Sequence, residues 1–521
     1  MKSFLLALAG SFAFAPVALA ALPPAPTITV AATDIKQLQF DISPVTRANW
    51  YELWFKANPG APWVEFTRTP VQRPRIRINT PVHLLDWRQA RYFVKACNPS
   101  GCSQSNEVGV DGEQLAAIGF FKPATRGGNL YFGFNFAVSA DGKAMVVVAG
   151  ETIDRKEHSA AIHVYRKTSA TSAWRLEARL VTSTNQAGSG VPTSGDALSI
   201  SADGNLIAFG SWIEGNVSGG IYNGAVYLFR RAADGWHETQ KITGDHSPRD
   251  FFGINVKLDA AGKTLVIGHD QVGGVHREGT LEVYQDPDDG SDQFVYSTTV
   301  PTPAFEDPQW GFCRTFSLSE VGHIARSCFT GTPYKYFTQV LTATAWQPLQ
   351  YAESARLPVG TGADVSIDSE GKRLLIQFAD DTRSSGVFMY RRETSGWVKD
   401  GTLAPFPGGS YHMAMSGDGR IVAIGGPNDT LAGRGPLFPP YLHGEMSGSV
   451  AIYERRASGW ALRRYVKNDR SGTYSFGWEV ALDRNGNLLA VGSPYDPSRA
   501  TGIDGDREDA SAPNRGAVWL Y

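Results

Sequence analysis

The residues whose types and spacing could bind a cation form an acidic stretch near the end of the chain. Asp504, Asp506 and Asp509 offer carboxylate oxygens at close intervals, and oxygen ligands suit a hard cation such as calcium. Arg507 interrupts this stretch, and no carboxylate stands at the twelfth position that would complete a calcium loop. We therefore expect no metal and no cofactor, and these three aspartates are weak calcium candidates.

Signatures of catalysis are missing from the sequence. The ten histidines are scattered without His-x-x-x-His spacing, and no Cys-x-x-Cys pair occurs, so zinc is not indicated. The chain has no Gly-x-Ser-x-Gly nucleophile elbow and no Gly-rich phosphate loop. Its 51 acidic residues allow many carboxylate pairs of the glycosidase kind, but no spacing selects one. We expect a protein that is not an enzyme, with a glycan hydrolase or lyase as the alternative.

Aromatic and arginine side chains in three long connections, 212–223, 426–448 and 494–515, are candidates for ligand binding. Loops longer than about twelve residues in a compact fold are often functional, and these side-chain types are common hot spots of binding. The candidate binding residues are Trp212, Tyr222, Arg434, Phe438, Tyr441, His443, Tyr495, Arg499 and Arg507. The alternative is a polar rim that contacts nothing.

A repeated pattern of strands must position these loops. An Asp/Ser-x-x-Gly turn before a short apolar run occurs seven times, with the turn glycines Gly142, Gly204, Gly262, Gly322, Gly371, Gly419 and Gly486. Each is a hairpin signal, because glycine takes the left-handed conformation that such a turn requires. A repeat of roughly 40 to 60 residues with four strands is typical of a propeller blade. The sequence therefore predicts an all-β protein with a seven-bladed propeller over residues 113–521.

Within a blade, the second repeat predicts strands at 197–201, 206–210, 224–230 and 236–242. A tight turn joins the third and fourth strands of a repeat, and a tryptophan follows it. These tryptophans are expected to pack between blades: Trp174, Trp236, Trp346, Trp397 and Trp460.

The last repeat lacks a fourth strand, since Tyr521 stands at the close of its third. The stretch Gln114–Phe121 is similar to the fourth strands at 176–181 and 398–403. Placing it on the last blade closes the ring and removes a free sheet edge. We therefore expect a strand clasp from the N-terminal side of the propeller.

The first twenty residues are predicted to be a signal peptide. Lys2 gives a positive start, an apolar core follows, and Ala18-Leu19-Ala20 forms a cleavage site after Ala20. No later stretch is expected to span a membrane, and the net charge of −2 without a basic run argues against nucleic acid. The protein is expected to be secreted, periplasmic or on the cell surface, where its partner would be a protein or a glycan.

The four cysteines form two close pairs, Cys97 with Cys102 and Cys313 with Cys328. The second pair flanks the turn at 319–322 symmetrically, so folding this hairpin places the two residues opposite each other. Disulfides persist outside the cytoplasm. Both pairs are therefore predicted disulfides, with buried thiols as the alternative.

Residues 21–112 alternate as half-buried strands do, at 27–30, 38–42, 51–55, 75–78 and 92–96, which predicts a sandwich. The stretch from Ala90 to Ser103 contains a tyrosine strand followed by Ala-x-Asn-x-x-Gly-x-Ser, before a final strand expected at 106–110. It resembles the late strands of a fibronectin type III domain, although Phe40 stands where that family usually has tryptophan. The resemblance implies a spacer or an adhesive module.

Three repeats carry a Phe-Gly pair, Phe132-Gly133, Phe252-Gly253 and Phe476-Gly477, before an apolar strand. They resemble FG-GAP repeats, the propeller repeats of integrin alpha chains and many exported bacterial proteins. The calcium-binding members carry several aspartates between the first two strands, whereas turns such as those at Asp203 and Asp418 hold one carboxylate. The resemblance implies an exported recognition or adhesion protein, or a structural part of an envelope assembly.

Overall fold

The computed structural model describes residues 21–84, 89–110, 117–125, 130–184, 197–215, 222–244, 251–269, 279–300, 303, 312–330, 335–346, 349–359, 364–379, 385–403, 412–429, 448–467 and 475–521. These residues are all-β, apart from one 3-10 turn at Val82–Leu84. None of their helices is long and apolar enough to cross a membrane. The predicted signal peptide, 1–20, lies outside the described residues.

The described residues form two compact units. The first consists of those within Met1–Ala31, Leu38–Ile78 and Trp87–Glu113. The second consists of Ala32–Gln37, Asn79–Asp86 and Gln114–Tyr521, and we call it the ring unit. Two short segments from within the first predicted domain thus belong to the ring unit.

Seven strands lie before residue 105. They are β1 (Ile28–Asp34), β2 (Gln37–Ile42), β3 (Trp50–Lys56), β4 (Val64–Pro70), β5 (Arg75–Asn79), β6 (Arg91–Asn98) and β7 (Gly101–Gln104). Their sheet orders are β1-β2-β5 and β4-β3-β6-β7. Tyr51, Leu53 and Val94 are buried, but Glu52 and Phe93 are buried as well, so these two strands do not alternate as predicted. Strand β4 has no counterpart among the predicted strands.

The final strand predicted at 106–110 is wrong. Gly101, with a φ of 135°, turns the chain back directly, so β6 pairs with β7 on the side away from β3. Of the predicted segment, Val108 forms an isolated bridge with Tyr92.

The ring unit contains the remaining strands. They are β8 (Gly119–Phe121), β9 (Phe136–Val138), β10 (Ala144–Ile153), β11 (Lys156–Arg166), β12 (Arg175–Val181), β13 (Leu198–Ile200), β14 (Leu206–Ser211), β15 (Ala225–Ala232), β16 (Gly235–Thr243), β17 (Asn255–Leu258), β18 (Thr264–His269), β19 (Thr280–Gln285), β20 (Val295–Thr299), β21 (Phe312–Leu318), β22 (Ile324–Thr330), β23 (Lys335–Trp346), β24 (Leu349–Val359), β25 (Val365–Ile367), β26 (Arg373–Ala379), β27 (Ser385–Glu393), β28 (Gly396–Leu403), β29 (Met413–Met415), β30 (Ile421–Gly426), β31 (Ser449–Arg456), β32 (Gly459–Lys467), β33 (Val480–Leu482), β34 (Leu489–Ser493) and β35 (Ala517–Leu520).

These strands pair as four-stranded antiparallel sheets. The sheet orders are β12-β11-β10-β9, β13-β14-β15-β16, β17-β18-β19-β20, β21-β22-β23-β24, β25-β26-β27-β28, β29-β30-β31-β32 and β33-β34-β35-β8. The first strands β9, β13, β17, β21, β25, β29 and β33 contact one another in this order, and β33 contacts β9. This cyclic order of radial sheets is the arrangement of a β-propeller.

The hairpin turns are those that the repeats predict. All seven turn glycines are left-handed, with φ between 63° at Gly419 and 77° at Gly322. In the turn before Gly204, the Ser201 hydroxyl donates to Asp203 Oδ1 over 2.6 Å, and the Asn205 N–H donates to the same oxygen over 2.9 Å. The turn carboxylate therefore holds the turn itself together.

The predicted clasp is confirmed for the described residues. Strand β8 pairs antiparallel with β35, with Phe121 opposite Val518 and Gly119 opposite Leu520. The Arg507 guanidinium lies 4.7 Å from the Trp519 ring centre. Residues 114–116 of the predicted clasp lie outside the described part of the chain.

The Phe-Gly pairs join neighbouring sheets. Phe132 forms a parallel bridge with Gly516 of the last sheet, and the same bridge links Phe252 to Gly224 and Phe476 to Gly448. A Cβ atom at Gly516 would lie 2.0 Å from the Phe132 carbonyl oxygen, so this close approach requires glycine. The motif therefore has a structural role at three junctions between sheets.

The apolar cores lie between neighbouring sheets, and the predicted tryptophans take part in them. Trp174 is buried, and Trp236, Trp397 and Trp460 pack against core clusters. Their indole groups also cross between sheets, since Trp236 donates to Glu177 over 3.0 Å. The packing prediction is confirmed for these four, while the Trp346 side chain is outside the described residues.

Both predicted cysteine pairs stand at bonding distance. The sulfur atoms are 2.06 Å apart for Cys97–Cys102 and 2.02 Å apart for Cys313–Cys328. Each pair lies directly opposite across a hairpin, and for Cys313 and Cys328 this is what the symmetry about the 319–322 turn predicts.

Candidate binding site on the long-loop face

The ring unit has two faces with different connections. Within each sheet, a turn of five or six residues joins the first strand to the second, and in the first six sheets a connection of two to nine residues joins the third strand to the fourth. Because the strands are antiparallel, these turns share one face, which we call the tight-turn face. The second-to-third and fourth-to-first connections share the opposite face, the long-loop face, where 23 residues separate Ser493 from Ala517.

Three polar side chains occupy equivalent positions at the long-loop face, each directly before the first strand of its sheet. They are Asp364 before β25, His412 before β29 and Glu479 before β33. The equivalence shows in the backbone, because the Gly425 N–H donates to the His412 carbonyl and the Gly492 N–H donates to the Glu479 carbonyl. We call these three residues the acidic mouth.

Hydrogen bonds hold the acidic mouth in place. His412 Nδ1 and Glu479 Oε2 are 3.0 Å apart, which links the sixth sheet to the seventh. Asp364 Oδ2 accepts from the Met413 N–H over 3.1 Å, and Oδ1 accepts from the Val365 N–H over 2.8 Å. Asp364 therefore links the fifth sheet to the first strand of the sixth.

The acidic mouth borders a cavity of about 240 Å³ lined by the first strands. Two residues beyond the mouth position, the lining is formed by the small residues Ala137, Ser199, Ser317, Ser366, Ala414 and Ala481, together with Lys257. Two of the serines join sheets, since Ser199 Oγ accepts from the Leu258 N–H over 3.0 Å and Ser317 Oγ accepts from the Ile367 N–H over 3.2 Å. The cavity is therefore narrow, polar and rigidly lined.

Four aromatic rings lie beside the acidic mouth, and we call them the aromatic platform: Tyr131, Phe134, Trp478 and Tyr495. Phe134 is buried, and its ring centre lies 4.7 Å from Trp478 and 5.6 Å from Tyr495. The other three rings are half-buried. The Trp478 ring also lies 6.3 Å from the His412 ring, so the platform and the mouth are continuous.

The phenol of Tyr495 stays neutral at ordinary pH. Burial, with a smaller contribution from Tyr131, raises the pKa of Tyr495 above its usual value. The platform therefore presents uncharged rings.

A second aromatic cluster lies where the second and third sheets meet. The rings of Tyr222 and Phe251 are stacked with centres 5.6 Å apart, and the Trp212 ring lies 5.4 Å from Phe251. The two predicted binding residues Trp212 and Tyr222 thus both contact the Phe251 ring, which was not among the predicted residues.

The other predicted residues have separate positions. Tyr495 belongs to the aromatic platform, whereas Arg507 covers the rings of the clasp and Arg499 is exposed, with Nε 3.8 Å from Asp509 Oδ2. Four predicted residues of the sixth-sheet loop lie outside the described residues: Arg434, Phe438, Tyr441 and His443.

The three weak calcium candidates use carboxylate oxygens in local bonds. Asp504 Oδ1 accepts from the Phe120 N–H over 2.8 Å, and Asp506 and Asp509 accept from backbone N–H groups two residues ahead. Where the structure describes the chain, the group of potential ligands within 4.8 Å of one another is Glu52, Cys97 and Cys102. Its two sulfur atoms are bonded to each other, so it is a disulfide beside a carboxylate.

Sequence reasoning missed the acidic mouth and most of the aromatic platform. A signal does exist, because Asp364, His412 and Glu479 each stand seven residues before a turn glycine. Aligning the repeats on those glycines would have placed the three side chains in one ring of equivalent positions. In the same alignment, Trp478 stands one position before Glu479.

No family model matches the chain, and no curated protein matches it. Among solved structures, a 6-phosphogluconolactonase-like protein from Bacteroides fragilis is 13% identical, with 82% of this chain and 98% of that one covered and a TM-score of 0.42. Prolyl oligopeptidase B from Galerina marginata is 12% identical, with 87% and 57% covered and a TM-score of 0.40. The chain spans little more than half of that peptidase. These structures are propeller-like, and at this similarity they carry no argument about activity.

Proposed function

We propose that the protein is an exported, non-enzymatic recognition protein that binds a protein or glycan ligand through the long-loop face. The observation that carries this proposal is the aromatic platform beside the acidic mouth. Half-exposed rings fixed by one another, next to hydrogen-bonded carboxylates, form a polar and aromatic surface that is ordered before a ligand arrives. Such a surface binds with a small entropic penalty.

The proposal includes a finer architecture. The cyclic order of sheets and the three Phe-Gly bridges support a seven-bladed propeller of the FG-GAP type. A three-stranded sheet and a four-stranded sheet, β1-β2-β5 and β4-β3-β6-β7, support a fibronectin type III-like first domain. The predicted signal peptide and the two cysteine pairs at bonding distance support export to a secreted, periplasmic or cell-surface location.

The test is ligand capture by the full chain on a glycan array and in a pull-down, with Trp478→Ala as the matched variant. A ligand relevant to the proposal is one that the wild-type protein retains and the variant loses. Equal capture by both proteins for every ligand found would contradict a site on the aromatic platform.

A glycan hydrolase is the second candidate, and one observation favours it. His412 and Glu479 form a hydrogen-bonded pair at the edge of a cavity, an arrangement that can accept and pass a proton. A panel of chromogenic glycosides would reveal this activity. Turnover that Glu479→Gln abolishes, without stable binding of any ligand, would favour the enzyme over the recognition protein.

A further inference from the structure

The two chemistries that meet on the long-loop face favour the same kind of ligand group. The face of an aromatic ring carries partial negative charge and attracts a cation, most strongly at tryptophan. Asp364 and Glu479 supply carboxylate oxygens, which accept hydrogen bonds and pair with cations. A neutral sugar could stack on the rings or donate a hydrogen bond to a carboxylate. A positively charged group is attracted to the ring faces and to the carboxylates at the same time.

We propose that the ligand group seated between the aromatic platform and the acidic mouth is an organic cation of the ammonium class. This inference rests on the proposed function and names the chemistry of its ligand. The ammonium group would lie against the Trp478 ring with Glu479 as its counter-ion. The remainder of the ligand would extend over the Tyr131 and Tyr495 rings.

The geometry supports a cation over an anion at this position. Glu479 directly follows Trp478 in the chain, and its side chain is 16% exposed, so its charge is partly shielded from water. An anion at the same place would face this carboxylate in a medium of reduced dielectric, which is unfavourable. Lys257 lines the same cavity two residues beyond the mouth position, on the third sheet.

The groups are also held in position before a cation binds. Asp364 is fixed by two backbone N–H donors and Glu479 by His412. The Trp478 and Tyr495 rings pack edge to face, with an interplanar angle of 88°. Rigid aromatic and carboxylate groups lose little conformational freedom on binding, so a single charged group can be recognised with useful affinity.

The experiment is calorimetric titration of the full chain with choline and with 3,3-dimethylbutan-1-ol, which has the same shape without the charge. We expect choline to bind at least about tenfold more tightly, the size of a partly desolvated cation–π and charge interaction. Glu479→Gln keeps the side-chain shape and should weaken choline binding by about tenfold. Glu370→Gln, the matched control at a carboxylate that is 66% exposed in a tight turn, should leave choline affinity unchanged.

Two further probes separate the sources of the cation. Glucosamine, compared with N-acetylglucosamine, tests an amino sugar. Nα-acetyl-lysine methylamide, which keeps the side-chain ammonium group, tests a protein side chain. Binding of either amine that depends on Glu479 supports the proposal and names the source. Equal affinity for choline and its neutral analogue, or no effect of Glu479→Gln, would overturn it.

Failure of the cation inference can be distinguished from failure of the proposed recognition function. If all the cations fail to bind while Trp478→Ala still abolishes capture on the glycan array, the ligand is not cationic and the recognition face stands. If Trp478→Ala leaves capture intact as well, both conclusions are wrong. A melting temperature measured for each variant shows whether it is folded under the binding conditions, so that lost binding is not mistaken for unfolding.

Discussion

The two faces of the ring unit differ in how far their functional groups are buried. At the seventh sheet, the tight-turn face buries Lys36 completely, and its Nζ donates to the main-chain oxygens of Tyr521, over 2.7 Å, and Asn487. His83 is equally buried beside the Gly486 carbonyl, 2.9 Å away. On the long-loop face of the same sheet, Trp478 and Tyr495 stay half-exposed. The polar groups of the tight-turn face are thus buried and hydrogen-bonded, whereas the aromatic rings of the long-loop face keep contact with solvent.

The tight-turn face also contributes an apolar anchor. Ile35 packs in the core cluster that contains Phe121 of the clasp and Leu488 and Leu520 of the seventh sheet. Any Cβ atom on Gly119 would lie 2.7 Å from the Ile35 side chain. Closure of the ring therefore depends on the 32–37 segment as well as on the clasp strand, which a separate first domain would not predict.

The largest effect should follow from removing this anchor. Ile35→Ala leaves a cavity in a fully packed core and is expected to lower the free energy of unfolding by about 2–4 kcal/mol. Leu462, which is 42% exposed, gives the control, because Leu462→Ala should change it by less than about 0.5 kcal/mol. Urea unfolding measures both. Similar losses for the two variants would show that the 32–37 segment does not help to close the ring.

The tight-turn face should also make stability depend on pH. Burial, opposed by Asp483, lowers the pKa of Lys36 from 10.5 to about 7. Between these values the unfolded chain holds a proton that the folded chain has released, so the free energy of unfolding should rise with pH from about 7 to about 10. Burial lowers the pKa of Lys122 to about 8, which adds the same sign above pH 8.

Lys36→Met should flatten this dependence. Urea unfolding of wild type and variant at pH 7 and pH 9 gives the two slopes. A wild-type stability that falls over this interval, or an unchanged slope in the variant, would mean that Lys36 is charged and solvated in the folded protein.

A third prediction separates stabilising residues of the long-loop face from ligand-binding ones. Sequence reasoning placed Arg507 among the binding residues, but its guanidinium lies over the Trp519 and Phe120 rings of the clasp. Arg507→Ala should therefore lower stability by about 1 kcal/mol, the size of a cation–π contact, and leave ligand capture unchanged. Thermal unfolding measures the effect on stability, and capture on the array measures the effect on binding. Lost capture at unchanged stability would show that Arg507 belongs to the binding site.

The smallest effect is expected at a single tight turn. Asp203→Ala removes the hydrogen bonds from Ser201 and Asn205 and should cost about 0.5–1.5 kcal/mol. Capture of any ligand should stay within about twofold of wild type, which is the ordinary effect of a distant surface change. A larger effect on capture would place recognition on the tight-turn face.

Local features were predictable from the sequence, and features made by distant segments were not. The seven turns follow from a glycine and an apolar run, and the clasp follows from a missing strand. The acidic mouth needs three repeats to be aligned and then closed into a ring. Lys36 sits in a hairpin turn, where lysine is ordinarily exposed, and its burial depends on residues more than 450 positions away.

The most direct test of the account compares two double variants against one ligand found on the array. Trp478→Ala with Tyr495→Ala alters the long-loop face, and Asp203→Ala with Asp418→Ala alters the tight-turn face. We predict that the first pair weakens capture at least about tenfold, since buried aromatic anchors dominate binding energy, while the second stays near wild type. Loss of capture by the second pair and not by the first would contradict the central claim.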